Sequence, residues 1–358
     1  IMNSGGMSER LIQFGNACIG HIRGSLSHIN ILASVIFAGV SGSAVADTAA
    51  IGSLMIPAMK KQGYDGEYAA AVTIASSTIG PIIPPSIMFI LFASIASQSV
   101  GEMFIAGIIP GIVVGVSQMI ITYVIAKKRM YPVSPLPTAH QLWNSFISTI
   151  DALFMPIIII GGVLSGVFTA TESGAVAVLY ALIIGFARKE LDGKKLYKAI
   201  LEAAVTTGTM MLIIMSAAVF SWILTIDQFP LRVVNLMATI TTSREVMIIL
   251  VVILLLIVGM FIDGTSALII LVPILFPMAA SYGMNPVHFG IFMVVTLLIG
   301  GITPPVGILL YICCGIAKIE VKDTIKMLMP YLIMYIVVAL LIGFIPGFST
   351  WLPSLLFK

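Results

Sequence analysis

Residues 79–85 read IGPIIPP and residues 299–305 read IGGITPP, so a stretch rich in glycine and proline recurs after 220 residues. The same shift, without a gap, aligns further glycines and prolines: Gly39 with Gly259, Pro57 with Pro277, and Pro110 with Pro330. Glycine and proline are common in membrane helices, and single matches between them carry little weight. An ungapped register that includes IGxIxPP twice indicates an internal repeat.

The composition excludes several classes of protein. Of 358 residues, 59% are hydrophobic and 9% are charged, and the mean hydropathy is +1.13. A soluble domain carries about 25% charged residues. The net charge of +3 and the short, separate basic clusters exclude a nucleic-acid binder. Long charge-free runs, such as 103–126 and 203–226, match the roughly 20 apolar residues of a spanning helix. The sequence predicts an all-α polytopic protein in the lipid bilayer.

The two copies of the repeat are expected to have opposite topologies. Basic clusters near Lys127, Arg188 and Lys322 are placed in the cytoplasm by the positive-inside rule. On that count, a re-entrant hairpin at 29–58 enters from the cytoplasm and a second at 246–280 enters from outside. Inverted repeats with interrupted helices are typical of secondary transporters.

The predicted organisation has five parts, which are an N-terminal scaffold segment, a first repeat, a connector with scaffold helices, a second repeat and a tail: 1–28, 29–126, 127–245, 246–345 and 346–358. Each repeat comprises a hairpin, a broken helix and a final helix: 29–58, 68–95 and 103–126 in the first, and 246–280, 289–312 and 327–345 in the second. The sequence does not begin with methionine, and we expect the chain to be truncated upstream.

The hairpin tips and helix breaks contain the candidate site residues. Asp263 is the only carboxylate between residues 246 and 317, and a carboxylate within the membrane is by default a functional candidate. Its alternative role is to cap a helix. Carbonyls freed by the proline breaks suit a cation, and half-helix N-termini suit an anion. The other candidates have small or hydroxyl side chains, or lie at a tip: Ser41, Ser43, Asp47, Ser77, Gly80, Ser86, Gly300 and Thr303.

The sequence contains little that indicates an enzyme. Residues 39–42, GVSG, have the GxSG form of an intramembrane serine protease, which needs a base beside the serine. All four histidines are expected near interfaces or in loops. A GxxxxGK[ST] phosphate-binding motif is absent from the sequence. We therefore expect a protein that is not an enzyme.

Several stretches together resemble the large membrane subunit of the TRAP (tripartite ATP-independent periplasmic) transporters: FAGVSGSAVADTAAIG at 37–52, IASSTIGPIIPPS at 74–86, GVFTATESGAVAVLYAL at 166–182, NPVHFG at 285–290 and IGGITPPVGILL at 299–310. The resemblance covers essentially the whole chain. It implies sodium-coupled import of an organic anion across the bacterial inner membrane by an elevator movement. It also implies a small membrane subunit and a periplasmic binding protein as partners. A stand-alone ion-coupled anion carrier is the alternative.

The resemblance also implies where ligands bind. One Na⁺ site would use the first tip and first break: Ser41, Ser43, Ser77 and Gly80. The other would use the second tip and second break: Gly264, Thr265, Gly300 and Thr303. The organic anion would lie between them: Ser41, Ser43, Asp47, Ser86 and Asp263. Many relatives have proline where this chain has Gly264. Because Asp263 can accept hydrogen bonds from hydroxyl groups, we expect a sugar acid such as sialic acid ahead of a C4-dicarboxylate.

Overall fold

The computed structural model describes residues 7–133 and 137–357. Parts of the predicted N-terminal segment, connector and tail, at residues 1–6, 134–136 and 358, lie outside these described residues. Within the described part all regular secondary structure is α-helical. The predicted all-α class is therefore confirmed.

A first group of helices contains a hairpin, an interrupted helix and a long final helix: α1 (Met7–Ile19), α2 (Ser25–Ser41), α3 (Ala44–Lys61), α4 (Gly66–Ser77), α5 (Ile87–Ile95) and α6 (Val100–Lys128). The α2–α3 hairpin extends beyond the predicted 29–58 at both ends. Its two helices are joined only by Gly42 and Ser43. Gly42 has φ +56°, and a Cβ there would lie 2.8 Å from the Pro85 carbonyl oxygen, so this turn needs glycine.

A middle group of four helices connects the repeats: α7 (Ala139–Leu164), α8 (Ala170–Ala187), α9 (Gly193–Ile226) and α10 (Phe229–Ile240). These helices are mostly exposed; α9 buries only Ala217 among its described residues. Apolar helices with exposed faces on every side are expected to meet lipid or another membrane subunit.

The last group repeats the first: α11 (Arg244–Phe261), α12 (Gly264–Ser281), α13 (Pro286–Gly300), α14 (Ile308–Ala317), α15 (Val321–Phe344) and the C-terminal α16 (Gly347–Leu356). Each of α11 to α15 begins within one residue of the position 220 residues after the start of α2 to α6. The repeat inferred from glycines and prolines is thus a repeat of five helices.

Both interrupted helices break at their paired prolines. The turns lie between α4 and α5 and between α13 and α14, and the Pro84–Pro85 and Pro304–Pro305 peptide bonds are both cis. Proline supplies no backbone N–H, so a helix cannot continue through such a pair. Each break therefore leaves a helix C-terminus and a helix N-terminus in the interior of the protein.

The two repeats interlock rather than lie side by side. Helix α5 packs on α12 and α13, whereas α14 packs on α3 and α4. The helices before the breaks form the centre: residues 68–77 of α4 and residues 287–300 of α13 are all buried. The short helix after each break therefore packs against the hairpin of the other repeat.

Seven described helices are long and apolar enough to cross a membrane, as judged by length and composition: α6, α7, α8, α9, α11, α12 and α15. The set includes both helices of the second hairpin. Their ends meet at Ile262 and Asp263, and so the pair can return to the side from which it enters.

Candidate functional site

A cavity of about 70 Å³ lies where both hairpin tips meet both helix breaks. Its lining comes from α3, α5, α12, α13, α14, the turns beside them and one residue of α9: Gly42, Ser43, Ala44, Val45, Pro81, Ile87, Met88, Met210, Asp263, Gly264, Thr265, Leu297, Leu298, Gly301, Ile308 and Leu309. Of the predicted site residues, Ser43, Asp263, Gly264 and Thr265 are in this lining. The cavity joins the two repeats.

Four helices begin at this cavity. Ala44, Ile87, Gly264 and Ile308 are the first residues of α3, α5, α12 and α14, and all four line it. The first N–H groups of a helix have no partner within the helix and lie at its positive end. Among the lining residues, Asp263 is the single charged side chain. The electrostatic character of the site is therefore set largely by backbone.

Three of these helix starts are capped by their own side chains. Ser43 Oγ accepts from the Ala46 N–H at 3.4 Å, Ser86 Oγ accepts from Phe89 at 3.3 Å, and Asp263 Oδ2 accepts from Thr265 at 3.0 Å. Helix α14 begins after Gly307, which supplies no side-chain cap. Its first N–H groups therefore have no side-chain acceptor of their own.

At the first tip, Ser41 and Ser43 bond to each other rather than to the break. Ser41 Oγ lies 3.3 Å from the Ser43 N–H that donates to it. A Cβ at Gly80 would lie 3.7 Å from the Ser43 carbonyl oxygen. The tip backbone therefore lies against the first break at Gly80. Ser86 is buried and donates to the Pro81 carbonyl at 2.5 Å.

Asp47 lies in the protein interior and outside the cavity lining. It is fully buried, and Oδ2 accepts from Ser34 Oγ at 2.7 Å. Ser34 in turn contacts Ser76 at 3.2 Å, and Ser76 donates to Asn30. Within the described residues Oδ1 of Asp47 has no hydrogen-bond partner. Asp47 thus ties the first hairpin to α4 through hydroxyl groups.

The end of α4 is held by side chains that sequence reasoning missed. The Ala75 carbonyl accepts from Gln118 Nε2 at 3.0 Å and from Tyr335 OH at 2.8 Å. Tyr335 also bonds to Thr78 and to Gln118. Ser77 donates to Thr73 four residues earlier, at 2.8 Å. The sequence did contain a signal for them, because a Gln or Tyr within an apolar run needs a hydrogen-bond partner when it is buried.

The second break lies against the first helix of its own hairpin. Gly300 faces Gly259 of α11, and Gly301, one residue later, reaches the cavity lining. Thr303 donates to the Ile299 carbonyl at 2.6 Å and lies outside the lining. Gly264 lies close to Met88 of the other repeat. A Cβ added to Gly264 would lie 3.5 Å from the Met88 methyl carbon. Met88 and Met210 are lining residues that the sequence did not single out.

The described residues contain no cluster of three or more His, Cys, Asp or Glu side chains that could hold a metal. The cation ligands available at the tips and breaks are carbonyl and hydroxyl oxygens, which suit a small hard ion.

Two of the four histidines are buried within the protein, each in the first turn of a helix. His28 and His288 are buried within helices α2 and α13. His288 bonds to Ser349 Oγ at 2.7 Å and to the Gly343 carbonyl at 3.2 Å, so it joins α13 to α15 and α16. For His288, the chain thus supplies hydrogen-bond partners to both nitrogens of a buried imidazole ring.

Comparison with solved structures shows the same fold in the Alcanivorax borkumensis YdaH transporter, whose structure is described as having an unusual topology. The alignment has a TM-score of 0.66 and covers 97% of this chain and 84% of that one. At 15% identity, this likeness concerns the fold alone.

Sequence comparison gives much closer relatives. The chain is 38% identical to the Haemophilus influenzae sialic acid TRAP transporter permease protein SiaT over 99% of its length, and spans 58% of that protein. It is 38% identical to the Escherichia coli 2,3-diketo-L-gulonate TRAP transporter large permease protein YiaN, over 97% of this chain and 82% of that one. It is 36% identical to the Pseudomonas aeruginosa C4-dicarboxylate TRAP transporter large permease protein DctM, over 99% and 83% respectively.

The family model for the DctM component of the tripartite ATP-independent periplasmic transporters matches residues 1–348. With the relatives above, this match covers nearly the whole chain. The chain therefore belongs to the DctM family of tripartite ATP-independent periplasmic transporter components, whose members are inner-membrane transporters and not enzymes.

Proposed function

We propose that this chain is the translocating subunit of a sodium-coupled importer of an organic anion. The observation that carries the proposal is the convergence of four helix N-termini on one cavity between the two hairpin tips. Such N-termini bind anions through their free N–H groups and their positive dipole ends. A basic side chain is not needed to attract the anion.

The anion's carboxylate binds at the start of α14. The other three helix starts already satisfy N–H groups with Ser43, Ser86 and Asp263. The N–H groups of Ile308 and Leu309 follow the uncapped Gly307, and both residues line the cavity. This placement puts the negative group at the helix start that lacks its own acceptor.

Sodium ions balance the charge of the anion and of Asp263. One ion binds between the first tip and first break: Ser41, Ser43, Ser77 and Gly80. A second binds between the second tip and second break: Gly264, Thr265, Gly300 and Thr303. Both sets lie where a helix ends and frees carbonyl oxygens, which is where secondary transporters coordinate Na⁺. Binding the anion and the cations together makes their transport coupled.

The substrate is a hydroxylated sugar acid such as sialic acid. Asp263 uses Oδ2 for its cap to Thr265 and Ser266, which leaves Oδ1 to accept from a substrate hydroxyl. A second carboxylate near Asp263 is repelled, which disfavours a C4-dicarboxylate. One relative is named for sialic acid and another for C4-dicarboxylates, so relatedness alone leaves both classes in view.

We propose that the site widens to admit its substrate. A cavity of about 70 Å³ is smaller than the roughly 300–1,000 Å³ of small-molecule pockets. The hairpin tips must therefore separate before an organic anion enters. We propose that the interlocked repeats move together as an elevator relative to α7, α8 and α9, whose faces are largely exposed.

A small membrane subunit and a periplasmic binding protein complete the transporter. The exposed apolar faces of α8 and α9 provide room for the small subunit within the membrane. A relative from Oleidesulfovibrio alaskensis is named as an isethionate permease protein DctMQ, and this chain spans 55% of it. The alternative, a carrier that works without a binding protein, uses the same cavity.

Uptake into proteoliposomes tests the proposal. The chain and its small subunit are reconstituted, an inward Na⁺ gradient is applied, and labelled sialic acid is added with and without the matching binding protein. We expect uptake only when the gradient and the binding protein are both present. Uptake without the binding protein supports the stand-alone carrier. Uptake that is unchanged when K⁺ replaces Na⁺ contradicts sodium coupling.

A further inference from the structure

A second groove lies far from the tips, between the C-terminal half of α6 and the first turns of α15. Its volume is about 570 Å³. Its wall is apolar and its end is basic: Ile120, Ile121, Val124, Ile125, Lys128, Arg129, Lys326, Met327 and Pro330. Because α6 and α15 are equivalent helices of the two repeats, the groove marks the seam between them.

The three cations at its end differ in their pairing. Arg129 forms an ion pair with Asp65. In the part of the chain that the structure describes, Lys128 and Lys326 form no ion pair, and no carboxylate lines the groove. Lys322, which lies nearby on α15, is neutralised by Glu320 at 2.7 Å. Lys128 and Lys326 thus provide two uncompensated positive charges on opposite sides of one groove.

The groove is basic at one end and apolar along its wall, which matches the anionic headgroup and the acyl chain of a phospholipid. Lys128 is the last residue of α6, and Ile120 lies two turns earlier, or about 12 Å along the axis. Ile120 and Val124 are each 60% exposed, on the face where the wall is apolar. The basic end coincides with the end of a candidate span, where a lipid headgroup lies.

The N-terminal end of α6 is covered by another part of the chain. The C-terminal helix α16 packs on α6, and the Phe357 ring would lie 3.6 Å from a Cβ at Gly101 in its first turn. No described residue fills the groove at the basic end. That part of the seam is therefore accessible to a component of the membrane.

We propose that this groove binds an anionic phospholipid. The headgroup phosphate lies between Lys128 and Lys326, and an acyl chain runs along Ile120, Val124 and Pro330. Basic pockets between helices at the cytoplasmic side bind such headgroups. The apolar wall adds to the affinity for a phospholipid because it buries the acyl chain. A free phosphate ion has no apolar part that could gain from this contact. The site does not depend on which substrate the transporter carries.

Native mass spectrometry of the purified permease in detergent measures the binding. Phosphatidylglycerol and phosphatidylcholine are titrated separately, because they share acyl chains and differ in net charge. We expect phosphatidylglycerol to bind more tightly. The variant with Lys128→Gln and Lys326→Gln should weaken it about thirty-fold, as two surface lysines each contribute a few-fold to tenfold. The matched control, Lys194→Gln with Lys198→Gln in the exposed start of α9, should bind like the wild type.

A second variant tests the apolar wall without changing the charge. Val124→Trp fills the groove at an exposed position, so folding should be unaffected. We expect it to reduce phosphatidylglycerol binding, while inorganic phosphate at millimolar concentration should fail to displace the lipid from the wild type. Equal binding of both lipids, unchanged binding in the double lysine variant, or displacement by inorganic phosphate would each overturn the proposal.

Discussion

Gly259 and Gly300 are in direct backbone contact: a Cβ on Gly300 would lie 2.5 Å from the Cα of Gly259. The contact joins the first helix of the second hairpin to the end of α13, one residue before Gly301 enters the cavity lining. Only glycine at both positions permits this approach. The second hairpin and the second break are therefore held together through backbone atoms.

Gly300→Ala should force α11 and α13 apart. We expect a loss of about 1–3 kcal/mol of stability, because an added methyl group has no space and its neighbours are backbone. Thermal unfolding of the detergent-solubilised protein measures this loss. The control is Gly208→Ala in α9, where a Cβ meets nothing within 4 Å. Equal melting temperatures for both variants would contradict the close contact.

The internal repeat was predictable from the sequence, but the elements against which its equivalent glycines pack were not. Gly39, the equivalent of Gly259, faces Pro156 of α7, where a Cβ would lie 2.2 Å from the proline ring. Matched glycines mark close approaches in both copies. A shift of 220 residues cannot show that one copy packs on its own break and the other on the connector.

Asp47 and Asp263 show that the sequence alone also does not identify which tip residues line the cavity. Both are carboxylates at hairpin tips in the sequence, but Asp263 lines the cavity whereas Asp47 lies buried against Ser34. The hydroxyl partner of Asp47 comes from a helix turn 13 residues earlier. Ser86 likewise caps α5 instead of lining the cavity. Composition and spacing do not indicate whether a polar side chain at a tip lines the cavity or caps a helix. That role depends on how the two repeats pack together.

Tyr335→Phe should loosen the end of α4. It removes the hydroxyl that donates to the Ala75 carbonyl at 2.8 Å and that contacts Gln118 and Thr78. Buried polar groups left without a partner cost about 1–3 kcal/mol, and we expect that loss in thermal unfolding. Tyr123→Phe is the control, because Tyr123 is 44% exposed and should change stability by less than about 0.5 kcal/mol. A Tyr335→Phe protein as stable as this control would show that water replaces the hydroxyl.

Asp151→Asn should destabilise the packing of α7 on α1 and α8. The Asp151 side chain is 5% exposed, lies 2.8 Å from Arg188 Nε and 3.9 Å from Arg10 Nη2, and is the shared acid of both. Its loss leaves Arg188 less compensated, whereas Arg10 keeps its ion pair with Glu190 at 2.8 Å. Since Arg188 is about one-third exposed, we expect a loss of about 1–3 kcal/mol rather than the full cost of a buried charge.

Asp227→Asn is the matched control, because its pair with Arg232 is exposed on both sides and contributes at most about 1 kcal/mol. Chemical unfolding of both variants compares the two pairs. High salt should narrow the difference little, since screening acts mainly on exposed charges. Equal stability of the two variants would mean that solvent reaches Asp151.

Asp263→Asn separates the charge of this residue from its role as a cap. Asparagine caps helices as well as aspartate does, so Thr265 and Ser266 keep their acceptor and stability should change by less than about 0.5 kcal/mol. Asp263→Ala removes the cap as well and should cost about 1 kcal/mol. If Oδ1 accepts from a substrate hydroxyl, the Asn variant should lower sialic acid uptake roughly tenfold, because hydrogen bonds to charged groups contribute about 1.5–3 kcal/mol.

The same variant should act oppositely on a C4-dicarboxylate. Removing the negative charge of Asp263 removes its repulsion of a second carboxylate, so competition by the dicarboxylate for sialic acid uptake should strengthen. The two substrates thus serve as controls for each other in one reconstituted preparation. Normal sialic acid uptake by Asp263→Asn would show that the charge has no role in binding, and would leave this residue as the cap of α12 alone. Lower sialic acid uptake without stronger competition by the dicarboxylate would instead point to loss of the proposed Na⁺ site at Gly264 and Thr265.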